Sequence, residues 1–248
     1  MPPEAPRGGI GAAFARAEKT ARRSMLRNHG GGHAQVSFLE LFFDLVFVFA
    51  ITQLSHFLKD NLTWLGFAQS LVLFLAVWWA WMYTTWATNW ANPERFEVRV
   101  TLLVLMALSL VMAVAMPYAF GKYAWLFALC YCAMQIGRTV FMAVILRGAN
   151  PGNSRNMVRI ALWFCASALL WGAGALRGEE ERLVWWTLAV GLEYLGPIAL
   201  FRTPGLGHSQ PSDWDISGSH MAERCGLFII IALGEGIIIT GASFAKEE

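Results

Sequence analysis

Glu40 and Asp44 stand four residues apart in the run Leu39-Glu40-Leu41-Phe42-Phe43-Asp44-Leu45-Val46. In a helix that spacing puts both carboxylates on one face. Two like charges so placed repel each other, and desolvation disfavours their ionised forms further, so the pair asks for a cation or a shared proton. Proton or cation handling is the chemistry this pattern can do. Gln53 and His56 follow on the same run, and further ionisable groups interrupt later apolar runs: Arg138, Glu193, Glu223, Arg224 and Glu235. A charge at the centre of a bilayer costs at least about 2.5–3.5 kcal/mol on insertion scales, so it normally faces the bundle interior and has a partner. Arg138 is the first expected counter-charge for Glu40 and Asp44, and Arg224 the second. Glu235 lies eleven residues after Arg224, close to the same face but about 16 Å farther along at a helical rise. Gly234 and Gly236 flank it, so another helix or a ligand could approach closely. Together these residues form a candidate intramembrane polar site for protons, ions or a polar solute. The competing reading is an ion-pair network that fixes helix packing, and Glu223-Arg224, near a span boundary, suits it best.

Other chemistries find little support. The five histidines are scattered, and there is no H-E-x-x-H helix, G-x-S-x-G elbow or phosphate-cradling glycine loop. Cys130, Cys132, Cys165 and Cys225 fall inside apolar runs without C-x-x-C spacing and read as small core residues. Neither a metal nor a cofactor is expected, and no catalytic residue is assigned.

The elements that must carry these groups are membrane helices. Of 248 residues, 56% are hydrophobic and 15% charged, with a mean hydropathy of +0.47. A soluble domain of this size lacks the interior to hide so much apolar surface. Disorder, a disulfide scaffold and a soluble enzyme are excluded. Apolar runs near 37–58, 63–88, 98–116, 123–146, 156–176, 183–201 and 220–243 are each long enough to cross a bilayer as a helix. Asn92-Pro93, Met116-Pro117, Asn150-Pro151-Gly152 and Thr203-Pro204-Gly205 punctuate them. The expected fold is therefore all-α, a polytopic membrane protein of about seven transmembrane helices. With the N-terminus inside, twelve Lys and Arg fall on the cytoplasmic side and five opposite, which favours a cytoplasmic N-terminus. Trp64, Trp86, Trp90, Trp125, Trp185 and Trp186 sit near span ends, where aromatic belts form, whereas Trp78, Trp79 and Trp81 read as packing.

Residues 1–33 form a separate basic tail ahead of a transmembrane domain over 34–248. Arg7, Arg16, Lys19, Arg22, Arg23 and Arg27 outnumber Glu4 and Glu18 there, and the tail fits either an interfacial helix on anionic lipid headgroups or a disordered segment. The lipid bilayer, anionic headgroups, an ion or small polar solute and a second copy of the chain are the candidate partners. The net charge of +2 points to no nucleic acid.

Val36 to His56 resembles the opening signature of the bacterial low temperature requirement protein A (LtrA) family. Similar stretches are Trp86 to Arg95 (WATNWANPER), Glu193 to Pro197 (EYLGP) and His220 to Glu235 (HMAERCGLFIIIALGE). The resemblance runs from about residue 36 to the end. It implies a multi-pass protein of the bacterial inner membrane, linked by name to growth in the cold, and a stress-response setting. It carries over no catalytic residues. Its signature elements coincide with Glu40, Asp44, Gln53, His56, Glu223, Arg224 and Glu235. Family members are generally longer, so the chain is expected to be a truncated form or a short member.

The leading functional expectation is transport or permeation of a proton, ion or small polar solute on the buried carboxylates. One alternative is a structural or signalling membrane component. The other is a membrane enzyme acting on a lipid-like substrate, for which Asp213, Asp215 and His220 are the candidates.

Overall fold

The structure, a computed structural model, describes residues 20, 25–27, 36–210 and 216–244, the last six by backbone alone. The expected interfacial helix of the basic tail, its headgroup contacts, and Asp213 and Asp215 lie outside the described residues. Among those described there are seven α-helices and no strand: α1 Phe38–Asp60, α2 Trp64–Trp90, α3 Phe96–Ala115, α4 Ala124–Leu146, α5 Pro151–Ala175, α6 Glu179–Ile198 and α7 Gly218–Phe244. Local chemistry sets their ends. Ser37 and Glu40 form a capping box at the start of α1, and the Thr63 hydroxyl accepts the Gly66 N–H at the start of α2. Asn150 caps α5 ahead of Pro151, whose missing N–H costs nothing in a first turn. Pro117 ends α3 in a 3-10 turn, Met116–Tyr118.

Five helical segments are long and apolar enough to cross a membrane: α1, α2, α3 with its 3-10 extension, α4 and α5. The other two also carry charged residues. α6 opens on Glu179, Glu180, Glu181 and Arg182, and α7 holds Glu223, Arg224 and Glu235. The helices pack as sequence neighbours from α3 to α6. α1 lies against α2, α3 and α7, and α2 also touches α4, α6 and α7. The outer faces are apolar. On α3, Leu103, Val104, Leu110, Val111 and Val114 are all exposed, as a lipid-facing stripe requires. Polar side chains such as Asp44, Thr84, Gln135 and Ser167 are turned inward. Not every tryptophan near a span end forms part of a belt: Trp64 and Trp125 are exposed, but Trp186 is wholly buried and its indole N–H donates to the Trp171 carbonyl at 3.0 Å. α6 turns that ring onto α5 because the indole can bury its area and still satisfy its N–H.

Candidate functional site

Among the buried polar residues, two networks hold the charges that interrupt the apolar runs. The first lies where α1 and α7 begin and α2 ends. The capping box at the start of α1 fixes Glu40, whose Oε2 accepts from the Ser37 backbone N–H at 2.8 Å and from the Ser37 hydroxyl at 2.9 Å. The same oxygen accepts from Arg27 Nη2 at 2.7 Å. Arg27 is held by its own backbone, which bridges to the end of α2: its N–H donates to the Trp90 carbonyl at 2.8 Å. One turn along α1, Asp44 receives a forked pair of bonds from Arg224 of α7, Nε to Oδ2 at 2.9 Å and Nη2 to Oδ1 at 2.5 Å. Trp81 Nε1 of α2 donates to Oδ1 at 2.8 Å. Arg224 also reaches Glu40 Oε1 at 3.2 Å and the Thr88 hydroxyl at 3.1 Å. Glu40, Asp44 and Arg224 are all fully buried.

His220 closes this network. Its Nε2 lies 3.1 Å from Glu40 Oε1 and its Nδ1 3.3 Å from Asn89 Nδ2. The Asn89 amide is oriented by Ser217, whose N–H donates to Oδ1 at 3.0 Å and whose carbonyl accepts from Nδ2 at 3.1 Å. Asn89 Nδ2 is therefore a donor to Nδ1, and this bonding pattern assigns the proton of a neutral imidazole to Nε2, facing Glu40. With His220 neutral, Arg27 and Arg224 balance Glu40 and Asp44 among the described residues.

The second network centres on Glu193 of α6. Its Oε2 accepts from the Tyr131 hydroxyl at 2.5 Å, and its Oε1 from the Ser167 hydroxyl and from Trp171 Nε1 at 3.0 Å. Gln135 Nε2 donates to the Tyr131 oxygen at 3.1 Å, and Arg138 Nη2 to Gln135 Oε1 at 2.5 Å. Arg138 Nη1 reaches the Ala80 carbonyl at 3.1 Å and the Thr84 hydroxyl at 3.0 Å. Four helices thus share one chain of hydrogen bonds, with every donor in the line from Arg138 to Glu193 pointing towards the carboxylate. Among the described residues, no cation lies within 4.0 Å of Glu193 and no carboxylate within 4.0 Å of Arg138.

The sequence-derived residues therefore divide. Glu40, Asp44 and Arg224 meet in one cluster. Arg138, the counter-charge expected first, does not reach them, because α2 stands between, turning Trp81 to Asp44 and Thr84 to Arg138. Glu193 joins Arg138 instead. Gln53 is half-buried and His56 exposed on the far half of α1, Glu223 is exposed beside Arg224, and Glu235 is half-buried on α7. Sequence reasoning missed Arg27, Trp81, Thr88 and Asn89 in the first network and Tyr131, Gln135, Ser167 and Trp171 in the second. His220, a candidate for enzyme chemistry, serves the ion-pair cluster. Among the described residues, no three His, Cys, Asp or Glu side chains gather to hold a metal ion.

The family model for the bacterial low temperature requirement A protein matches residues 35–248. The chain belongs to the LtrA family. An uncharacterized protein of Rhizobium meliloti (strain 1021) is 42% identical over 217 residues, which is 87% of this chain and 53% of that relative. The chain thus spans about half the length of this curated relative. No solved structure matches it. The family match and the apolar helices together make the chain an integral membrane protein.

Proposed function

We propose that this LtrA-family chain crosses the bacterial inner membrane seven times from a cytoplasmic N-terminus and passes a proton, alone or with a small polar solute, across the bilayer. Glu193 is the group that takes up and releases the proton. The observation that carries this reading is the setting of Glu193: a buried carboxylate held by three neutral donors, with no cation in ion-pair reach among the described residues. Such a group can change charge without breaking an ion pair. The flux of protons into liposomes containing the purified protein, read by an enclosed pH dye, tests it. Glu193→Gln should abolish the flux; an unchanged rate would sink the assignment.

A second reading attaches to the first network. Hydrogen-bonded throughout and balanced by Arg27 among the described residues, the Glu40–Asp44–Arg224 cluster suits a structural tie that holds α1, α2 and α7 in register. On this reading neutralising it costs assembly rather than flux.

A further inference from the structure

Three donors surround the Glu193 carboxylate, and they differ in what each can do when it takes a proton. A carboxylic acid carries one O–H, which must find an acceptor, and one carbonyl oxygen, which can only accept. The Trp171 indole N–H can only donate. Tyr131 is fixed from behind. Arg138 has donors alone and gives one to Gln135 Oε1 at 2.5 Å, so the Gln135 amide must turn its Nε2 to the Tyr131 oxygen, 3.1 Å away. With a donor on that side, the Tyr131 O–H has Glu193 Oε2 as its acceptor, at 2.5 Å. Flipping the amide would set its NH2 group against the guanidinium, two donors face to face in a buried site.

Ser167 is under no such restraint. It lies inside α5, where a serine hydroxyl can turn to the carbonyl four residues back, as Ser55 does to Ile51 on α1 and Thr139 to Gln135 on α4. Its hydroxyl donates to Glu193 Oε1. Turned to the Trp163 carbonyl instead, it would offer Glu193 a lone pair in place of a hydrogen.

Resting on the reading of Glu193 as the proton-carrying group, we propose that the proton is held on Oε1, and that Ser167 accepts the acid's O–H while its own hydrogen turns to the Trp163 carbonyl. One O–H bond forms, and no neighbour loses its partner. Oε1 still accepts from Trp171, and Oε2, now the carbonyl oxygen, still accepts from Tyr131. A proton on Oε2 would displace the Tyr131 O–H, to which Gln135 offers only a donor, and a buried hydroxyl left unpaired is costly. Arg138 and Gln135 are therefore positioning residues that act on Glu193 through Tyr131. Their line is a clamp and not a path for protons, which reach and leave Glu193 on its α5 side. Besides Tyr131 and the Arg138 cation, the titratable groups facing Glu193 among the described residues are Cys132 on α4, Tyr83 on α2 and Tyr194 on its own helix, all neutral near pH 7.

The test is infrared difference spectroscopy of the whole protein in liposomes, taken across the pH range in which it stays folded. The C=O stretch of protonated Glu193 is the acid band that vanishes in Glu193→Gln. A hydrogen bond to the carbonyl oxygen lowers this stretch, so its position reports which oxygen carries the proton. Tyr131→Phe keeps the ring against Phe127 and Trp171 but removes the donor to Oε2, and should move the band to higher frequency. Ser167→Ala should move it less, because Oε1 is then the hydroxyl oxygen. No move in Tyr131→Phe, or a move at least as large in Ser167→Ala, overturns the assignment; if proton flux still depends on Glu193, its role as carrier stands. The predicted pattern together with wild-type flux in Glu193→Gln leaves the assignment standing and removes the transport reading. Absence of any Glu193 acid band overturns both.

Discussion

Arg224 answers two carboxylates from α7, and the geometry of its fork sets what can replace it. Arg224→Ala would leave Asp44 and Glu40 buried with too little positive charge, and we expect a loss of about 3–5 kcal/mol in denaturant unfolding. Arg224→Lys should recover little of this, since an ammonium cannot span both Asp44 oxygens and still reach Glu40 and Thr88. A Lys variant as stable as wild type would refute the importance of the fork. How far these contacts are legible in the sequence depends on the residue type. Charges in apolar runs stand out, so Glu40, Asp44, Arg138, Glu193 and Arg224 can all be picked as buried. Their pairing cannot, because it depends on which helix lies between them. Arg27 is hidden by a tail full of arginines. Trp81 reads as packing until its N–H is seen on Asp44, and Tyr131, Gln135 and Ser167 are ordinary helix residues until Glu193 arrives beside them. One signal was present: Ser37-Phe38-Leu39-Glu40 is a capping-box pattern, which places Glu40 in the first turn rather than mid-span.

At the scale of elements, close approach decides whether α5 and α6 can build the Glu193 network. At Gly174 an added Cβ would sit 2.5 Å from the Trp186 ring and 3.0 Å from Cβ of Trp185. Trp186 is wholly buried and bonded to the Trp171 carbonyl, while Trp171 donates to Glu193. Gly174→Val should therefore push α6 off α5, lower the Tm by several degrees and quench proton flux with it. Flux lost without any change in Tm would contradict this route. Arg182 braces the same end of the pair: its guanidinium donates to the carbonyls of Gly174 at 3.2 Å, Arg177 at 2.6 Å and Phe120, closing the last turn of α5. Helix number and limits are well marked in the sequence because Pro, Asn and Gly punctuate the runs. The crossing of α5 by α6 is not, since a glycine in a membrane helix has many uses.

Among the described residues, apolar side chains cover the outer faces as well as the core, and the Arg27–Glu40 and Arg224–Asp44 pairs lie inside. The proposed orientation puts the α1–α2 turn outside and the α2–α3 turn in the cytoplasm. Cysteines introduced at Asn61 and Glu94 in a background lacking Cys130, Cys132, Cys165 and Cys225 test this. A membrane-impermeant maleimide added to intact cells should label position 61 and spare position 94; the opposite pattern would invert the topology.

The Asp44–Arg224 bond also links residues 180 positions apart. At about 5–20 residues per second of synthesis, roughly ten to forty seconds separate the two ends of that bond at the ribosome. Where translation and insertion run together, Glu40 enters the bilayer with Arg27 already made, but Asp44 enters without its cation. α1 must then be held by the insertion machinery, or sit askew with Asp44 near the headgroups, until α7 follows. Helix α7, made long after α1, is the one that lets α1 settle.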